Sequence, residues 1–384
     1  MNNKLLFSIS NSRKINNNKI VLFNKNIKNN NKIFINQSKY NSISSNSINI
    51  KYNKTNRYFF LKMRDNAKSI NLVNNEKSMK IIENIALRES KLSKLDLSKV
   101  DNNMIIGITI INSIPYFSHE VSNSKNNINV HHRGRSVLNF IKKVCSISPK
   151  KINCKLAIGL HDAHDDMKEG LMVFSKKKDS KCILIPDLYS MNNYGGKINN
   201  KDNIPFLKKK NESLFIGSTT GNNNPENNSR LKLCDFSLNN KKIKAYINNI
   251  CQISEEKIAI TYPKYKNFLH KNLSINDQVQ YKYLINVDGN TCAWDRLVWI
   301  LNTNSICLKQ KSDNKCWYYD LMENNKHYIE FNEPNDINTI INKLSPEKCN
   351  DIIKNANAFV NEYLRENSHM LYMSNLLYNL SEKK

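Results

Sequence analysis

Short apolar runs alternate with longer amphipathic stretches through most of the chain. The apolar runs end at polar or glycine-containing breaks, which is typical of buried β-strands, and the amphipathic stretches have helical spacing. Such alternation predicts α/β architecture with parallel sheets. The predicted strands are Met104–Ile111, Leu156–Leu160, Met172–Ser175, Cys182–Ile185, Ser213–Ile216, Tyr283–Val287 and Ser305–Leu308, and the predicted helices are Glu76–Arg88, Arg135–Val144, Ile337–Lys343 and Pro346–Asn379.

The segment from residue 281 to residue 331 contains an uninterrupted strand, turn, helix and strand. Gly289 allows a sharp turn after the first strand, and Asn290 or Thr291 can then cap a helix that runs to Leu301. This places Arg296 in the first two turns of a helix at the carboxyl end of a strand, where α/β proteins bind ligands. A helix amino terminus and an arginine both favour an anion. The alternative is that Arg296 is an ordinary surface charge.

A polar cluster, HDAHDD, directly follows the predicted strand Leu156–Leu160. Its histidines and aspartates could bind a divalent metal, because both side chains are good ligands. One carboxylate could instead act as a general base. The third possibility is a solvated loop, which is common after a strand. The residues alone leave these three alternatives open for His161–Asp166.

A small, hydroxyl-rich turn follows the predicted strand Ser213–Ile216. Backbone N–H groups and hydroxyls in such a turn can bind a phosphate, although most turns of this kind bind nothing. Its residues are Gly217, Ser218, Thr219, Thr220 and Gly221.

Residues 1–75 lack the pattern seen in the rest of the chain. Asn, Lys, Ile and Ser dominate this segment, and it has no stable periodicity. Such a composition buries too little apolar surface to offset the entropy of ordering, so the segment is predicted to be disordered.

The formal net charge of the 384-residue chain is +26, which usually suggests a nucleic-acid partner. Here the lysines are spread along the chain among many asparagines and isoleucines, residues that share A- and T-rich codons. No basic stripe is interleaved with stacking aromatics. We therefore expect genome composition to explain the charge and no nucleic acid to bind, although polyanionic ligands should be attracted.

The nine cysteines are an odd number and include no CxxC pair, so neither a zinc ribbon nor a complete disulfide framework is indicated. A reducing compartment fits this usage. The N-terminal apolar run is too short for a signal peptide, no transmembrane run occurs, and the C-terminus carries no retention sequence. A cytoplasmic protein is expected.

Several separate motifs, in order and at matching spacing, resemble glycosyltransferase family 90. They are YKYLINVDGN, the arginine at position 296 followed by an apolar run, NSICLK, WYYDL and HYI. The resemblance extends from about Met104 to the C-terminus. It implies a GT-B fold with two Rossmann-like domains that face each other across a cleft, and a long C-terminal helix that packs back across the N-terminal half. The implied domains are an acceptor-side domain at 76–200 and a nucleotide-sugar-binding domain at 201–384.

The resemblance also implies roles for individual residues. Asp162 matches the proposed catalytic base, whereas Asp165 and Asp166 fall where the pattern is looser. The chain departs from the family at Ile216, where an arginine is usual, and Arg230 could supply a substitute cation. The expected donor-binding residues are Gly217, Ser218, Thr219, Thr220, Arg230, Asn290, Thr291 and Arg296, and the expected acceptor-side residues are Tyr189 and Tyr194.

The function implied by the resemblance is transfer of glucose or xylose from a UDP-sugar to a hydroxyl of a glycan or protein, with inversion and without a metal or other cofactor. Two alternatives stay open. One is a nucleotide-sugar or glycan-binding protein whose activity is weakened by the loss of the arginine at Ile216. The other is a metal-dependent hydrolase that uses the His161–Asp166 cluster.

Overall fold

The computed structural model of the chain describes residues 19–21, 34–36, 76–92, 104–118, 128–162, 169–199 and 202–381. Strands β1 (Lys19–Val21) and β2 (Phe34–Asn36) pair antiparallel within a unit that spans residues 1–61. The rest of residues 1–75, predicted to be disordered, lies outside the described residues. Residues 62–384 form a second compact unit. The remaining description concerns this second unit.

The N-terminal half of this unit is built on a mixed five-stranded sheet of order β4-β3-β5-β6-β8. Strands β5, β6 and β8 are parallel, but β3 is antiparallel to both of its neighbours. The prediction of a parallel sheet is therefore wrong for this edge. The tight turn at Asn112 and Ser113, both with positive φ, forces β4 to return along β3. The strands are β3 (Ile105–Ile111), β4 (Ile114–Phe117), β5 (Cys154–Gly159), β6 (Met172–Val173) and β8 (Ile183–Leu184).

Helices cover this sheet because their apolar faces are buried against it. Ile82 and Ala86 of the first helix are fully buried, as are Val137 and Ile141 of the second. Both predicted helices are thus confirmed; the first continues two residues past its predicted end, and the second extends beyond both predicted ends. The helices of this half are α1 (Glu76–Ser90), α2 (Ile128–Ile147) and α3 (Leu188–Met191).

The C-terminal half is built on a five-stranded sheet of order β10-β9-β11-β12-β14, and every pair in it is parallel, as predicted. Both of its faces are buried. Leu284 lies in one hydrophobic cluster, and Tyr283 and Ile285 lie in the other. Burial on both faces explains why these strands read as continuous apolar runs. The strands are β9 (Lys210–Ser218), β10 (Ile243–Asn249), β11 (Tyr281–Asn286), β12 (Ile306–Gln310) and β14 (Ile329–Phe331).

Helices lie between the parallel strands of this half, and one more helix directly follows the last strand. They are α4 (Ser229–Ser237), α5 (Glu255–Thr261), α6 (Ile275–Gln278), α7 (Trp294–Leu301) and α8 (Asp336–Lys343). Short 3₁₀ segments lie at Phe206–Lys208, Pro225–Asn227, Tyr265–Asn267 and Tyr319–Leu321, and the turns at Asn193–Asn199 include further 3₁₀ geometry.

The C-terminal segment, predicted as one helix, consists of two helices: α9 (Pro346–Tyr363) and α10 (Glu366–Leu380). The chain is extended at Arg365, with φ of −82° and ψ of 158°, which ends the first helix. Helix α10 nevertheless packs on α1 and α2, so the predicted return to the N-terminal half is confirmed. The Tyr372 hydroxyl donates to the Leu184 carbonyl of β8 at 2.7 Å.

The two halves are joined by direct contacts near the ends of their sheets. Strand β7 (Lys176–Lys177) of the first half pairs antiparallel with β13 (Asn314–Lys315) of the second. Lys197 forms an ion pair with Asp295 at the start of α7. Within the described residues, no helix combines the length and the apolar content needed to cross a bilayer.

Candidate functional site

Two loops meet at the carboxyl edge of the C-terminal sheet. Loop 217–221 follows β9, and loop 287–293 follows β11, its parallel neighbour. Because parallel strands end at the same edge, their loops come together where α/β proteins bind ligands. The structure therefore brings together most of the residues predicted to bind a donor.

Close approach of the two loops depends on a glycine. A β-carbon on Gly289 would lie 2.7 Å from the Thr220 Oγ1 atom and 3.0 Å from an Arg230 nitrogen. Glycine is therefore needed at position 289 because the two loops leave no space for a β-carbon. Asn290 fixes the approach, since its side-chain oxygen accepts a hydrogen bond from the Gly221 N–H at 2.9 Å. Gly221 itself has a φ of +125°, which only glycine adopts readily.

Arg230, at the start of α4, holds both loops with its guanidinium. It donates to the carbonyls of Ser218 at 3.1 Å, Val287 at 3.1 Å and Asp288 at 3.0 Å, and to the Thr220 hydroxyl at 2.6 Å. Only 7% of the residue is exposed. Its donors are thus largely used within the protein. Arg230 therefore organises the two loops, and its role as a substitute for the arginine usual at position 216 stays a prediction.

Arg296 differs, because its guanidinium makes no hydrogen bond or ion pair with any residue that the structure describes. One of its nitrogens lies 3.4 Å from where a β-carbon on Gly217 would be, so it reaches loop 217–221. Its helix, α7, begins at Trp294 without a side-chain cap. The predicted cap by Asn290 or Thr291 is wrong, and the uncapped helix start retains its preference for an anion.

The ring of Phe215 lies close to both arginines, 5.9 Å from the carbon of the Arg230 guanidinium and 5.0 Å from that of Arg296. The pKa of Arg296 is lowered to about 9, mainly by burial and also by the positive charge of the neighbouring Arg230, while Asp295 opposes both effects. Burial also lowers the pKa of Arg230 to about 10, against the attraction of Asp288. Both groups stay charged at neutral pH. Two such cations side by side favour binding of an anion.

The hydroxyls of the predicted phosphate turn have different tasks. Thr219 is fully buried, and its hydroxyl donates to the Cys251 carbonyl at 2.6 Å and accepts from the Cys251 N–H at 2.7 Å. Its side chain therefore faces the protein, which corrects its assignment to the donor. Ser218 and Thr220 are partly buried, and their hydroxyls lie 3.3 Å apart. Ile216 points into the core and is 3% exposed.

Thr291 lies at the junction with the N-terminal half. Its hydroxyl is 2.5 Å from that of Ser175, which follows β6, and both residues are buried. The contact is between loops of the two sheets. Thr291 thus ties loop 287–293 to the other half and leaves little surface for a ligand.

Asp162 follows the carboxyl end of β5, and its side chain is 38% exposed. Its Oδ1 atom accepts a hydrogen bond from Arg133 Nη1 at 2.7 Å. Arg133 lies on α2, and nothing in the local sequence links it to Asp162. His161, also in the predicted cluster, is exposed, whereas His164, Asp165 and Asp166 lie outside the described residues. Among those described, no three His, Cys, Asp or Glu side chains gather into a group that could hold a metal ion.

Tyr189 lies between the Asp162 region and the start of α7. Its ring centroid is 6.0 Å from that of Trp294, and 44% of the residue is exposed. Burial of the hydroxyl raises the pKa of Tyr189, and the nearby carboxylates of Asp295 and Asp162 raise it further. The same tyrosine is therefore near both the predicted base and the helix that carries Arg296.

Tyr194, the second residue predicted on the acceptor side, is fully buried. Its hydroxyl is 2.9 Å from the Nε2 atom of His369 on α10. Its backbone has a positive φ of 52°. It is a core residue, and this corrects its prediction as an acceptor contact.

The sequence profile described as glycosyl transferase family 90 matches residues 171–383, more than half of the chain. The match includes loops 217–221 and 287–293 and both arginines. It begins after Asp162.

Two curated relatives are similar over less than half of the chain. Uncharacterized protein 179R of Invertebrate iridescent virus 6 is 28% identical over an alignment of 207 residues, and the match covers 46% of this chain and 17% of that protein. The O-glucosyltransferase LpsA of Dichelobacter nodosus is 23% identical over an alignment of 176 residues, and the match covers 44% of this chain and 49% of that protein. The chain thus spans half or less of the length of these relatives.

Two solved structures are also similar in part. The C-terminal domain of a group 1 glycosyl transferase, LpcC of Francisella tularensis, has a TM-score of 0.29 at 7% identity and covers 43% of this chain and 94% of that one. A TarM variant of S. aureus has a TM-score of 0.34 at 14% identity and covers 47% of this chain and 37% of that one.

Proposed function

Because the chain belongs to glycosyl transferase family 90, we propose that it transfers a sugar from a UDP-sugar to an acceptor hydroxyl, with inversion at the anomeric carbon. The observation that carries this proposal is that Arg296 is charged but has no acceptor for its hydrogen bonds among the described residues. Its guanidinium lies at an uncapped helix start and beside loop 217–221. A diphosphate would supply the missing anion.

The donor diphosphate would bind at the meeting point of the two loops. Arg296 would donate to phosphate oxygens as a bidentate fork, and the start of α7 would add its positive dipole. Arg230 and Asn290 would keep the loops in the conformation that accepts the phosphates. These groups stabilise the negative charge that grows on the leaving diphosphate, so the transfer needs no metal.

The chemical step would use Asp162 as the general base. Its carboxylate takes the proton of the acceptor hydroxyl while the acceptor oxygen forms a bond to the anomeric carbon. The bond from that carbon to the diphosphate oxygen breaks, and UDP leaves with the electron pair. Attack from the face opposite the leaving group inverts the anomeric centre.

The sugar and the acceptor are proposed from the relatives and the surface near Asp162. Similarity to the O-glucosyltransferase LpsA favours glucose as the transferred sugar, and xylose is the second candidate from the family resemblance. Tyr189 offers an exposed aromatic face next to Trp294, a surface on which a sugar ring can pack. A glycan or a protein would supply the hydroxyl.

A nucleotide-sugar-binding protein with weak activity is the second candidate. It is favoured by Ile216, which lies in the core where the family has an arginine, and by Arg230, whose donors serve the loops. Among the described residues of the two loops and their helices, only the guanidinium of Arg296 would then be available to bind the diphosphate. This candidate predicts UDP-sugar binding without measurable transfer.

The test measures donor binding and transfer separately. UDP-glucose and UDP-xylose should raise the melting temperature of the chain, since a ligand that binds the folded state stabilises it. Arg296→Ala should weaken UDP binding and lower kcat/KM on the order of 10- to 1000-fold. Asp162→Asn should leave UDP binding unchanged and lower transfer on the order of 10²- to 10⁴-fold. Arg135→Ala, an exposed arginine on α2, serves as the control and should change neither.

The same assay distinguishes the alternatives. Transfer that persists in EDTA supports the glycosyltransferase, and binding without transfer supports the second candidate. Activity that is lost in EDTA and restored by a divalent cation would mean a metal-dependent enzyme built on the 161–166 cluster. Unchanged UDP affinity in Arg296→Ala would show that Arg296 does not bind the diphosphate.

A further inference from the structure

One arginine outside both loops contacts the predicted base. Arg133 Nη1 donates two hydrogen bonds of 2.7 Å, one to Asp162 Oδ1 and one to the Leu160 carbonyl. Leu160 directly follows β5, so the same nitrogen binds the backbone at the strand end and the carboxylate two residues further on. The carboxylate is thereby fixed relative to the sheet.

The backbone that carries Arg133 is held firmly against this strand end. A β-carbon on the next residue, Gly134, would lie 3.6 Å from Ile106 and 3.7 Å from Leu160, so the helix packs closely on the sheet there. Val137, one turn further along, is fully buried. The guanidinium therefore extends from a rigid element and holds a group that lies in a loop.

The contact uses one carboxylate oxygen and leaves the other. Within the part of the chain that the structure describes, Oδ2 of Asp162 has no hydrogen-bond partner. The side chain is 38% exposed, and that of Arg133 is 28% exposed. An acceptor hydroxyl can approach the second oxygen while the first stays bound. A general base needs this combination of fixed position and accessible lone pair.

We propose that Arg133 is a positioning residue that holds the Asp162 carboxylate for proton transfer from the acceptor. The inference rests on the proposed function, since it assigns Arg133 a task in the same reaction. It differs from the reading of an ordinary partly exposed ion pair, which contributes little to stability and nothing to catalysis. The two interpretations differ in whether the effect of an Arg133 substitution on kcat depends on the presence of the Asp162 carboxylate.

The experiment is a double-mutant cycle on the full chain. Arg133→Gln and Arg133→Lys are made in the wild type and in the Asp162→Asn background, with Arg135→Gln as the control two residues along the same helix. Arg135 is exposed and forms no hydrogen bond or ion pair with any residue that the structure describes. For each variant, kcat, the KM for UDP-glucose, the Kd for UDP and the melting temperature are measured.

Arg133→Gln should lower kcat on the order of 10²-fold, the usual effect of misplacing a reacting group, with the donor KM and the Kd for UDP unchanged. Arg133→Lys should recover kcat to within about 10-fold of the wild type, because an ammonium can also donate to the Leu160 carbonyl and to Asp162 Oδ1. In the Asp162→Asn background, Arg133→Gln should have no further effect on kcat, since the carboxylate that Arg133 positions has already been replaced by an amide that cannot act as a base. Arg135→Gln should match its parent throughout.

Three results would overturn the inference. The first is an unchanged kcat in Arg133→Gln. The second is a loss of kcat that is fully additive with the loss caused by Asp162→Asn. The third is a loss of kcat in both Arg133 variants that is proportional to the decrease in their melting temperatures. In each of them the wild type still transfers sugar, so the proposed function survives. If the wild type neither binds UDP nor transfers sugar, the proposed function and this inference fail together.

Discussion

The two arginines near loop 217–221 differ in how many hydrogen bonds they make with the protein. Arg230 donates to three backbone carbonyls and a hydroxyl, and it is buried. Arg296 has a ring contact with Phe215 but no hydrogen-bond acceptor among the described residues. The first therefore contributes to the folded state itself, and the second keeps its donors for a ligand. Their substitutions should separate stability from binding.

We predict that Arg230→Met lowers the free energy of unfolding by about 3 kcal/mol, because it leaves several buried carbonyls without donors. Arg296→Met should change it by less than about 1 kcal/mol, since removing a buried cation next to another cation relieves repulsion. Urea unfolding of both variants measures this difference. UDP titration should show the stronger loss of affinity in Arg296→Met. A larger loss of stability in Arg296→Met would contradict these roles.

At the scale of elements, the site depends on how closely loop 287–293 approaches loop 217–221. The β11 and β9 strands are hydrogen-bonded neighbours, so their loops begin side by side. Gly289 then lies against Thr220 and Arg230, where no β-carbon fits. The space left for the donor phosphates is thus set by a close backbone contact at Gly289. Adding a single methyl group at this position tests whether the contact is needed.

We predict that Gly289→Ala destabilises the fold by about 1–3 kcal/mol through overpacking and weakens UDP binding as the loops move apart. Gly134→Ala on α2 is the matched control. Its new β-carbon would meet neighbours at 3.6 Å, an ordinary contact distance, in a helix interior. It should stabilise the fold by about 0.5–1 kcal/mol. Urea unfolding and UDP titration measure both, and equal effects of the two substitutions would contradict the argument.

At the scale of the whole molecule, helix α10 connects the C-terminal end of the chain to the N-terminal half through a buried aromatic cluster. His369 on α10 is fully buried beside Tyr194, and its ring centroid lies 5.6 Å from that of Trp317. Trp317 in turn stacks on Tyr372 with centroids 4.4 Å apart. Burial lowers the pKa of His369 to about 3. The packing of α10 is therefore linked to pH.

The sign of this link follows from proton binding. Below a pH of about 6.5 the unfolded chain protonates His369, whereas the folded chain does so only near pH 3, so stability falls as the pH decreases through that interval. The loss from this group approaches about 1.4 kcal/mol per pH unit. Urea unfolding between pH 7.5 and pH 4.5 should show a steeper loss for the wild type than for His369→Gln.

A carboxylate near the same cluster acts in the opposite direction. Burial raises the pKa of Asp187 to about 6, so this group favours the folded state as the pH falls below that value. Its contribution is common to the wild type and His369→Gln and cancels in the comparison. Parallel pH profiles of the two proteins would show that His369 is not the group responsible.

The sequence by itself determined the local elements and the position of the main polar groups. The apolar run before Gly289 predicts β11, the spacing of Leu297, Val298 and Leu301 predicts the buried face of α7, and both agree with the structure. These features depend only on residues that are close to each other in the sequence. The same local order places Asp162 at a strand end and Arg296 near a helix start, and the ordered motifs indicated the family.

Only the tertiary structure decided which partner each polar group has. Arg133 lies 29 residues before Asp162, and Arg230 lies 57 residues before Val287, so no local pattern links either pair. Burial of Tyr194 against His369 and the use of the Thr219 hydroxyl by Cys251 likewise depend on distant segments. Periodicity fixes the face that a side chain occupies. Its hydrogen-bond partner is fixed by which elements pack against that face, and this depends on the whole fold.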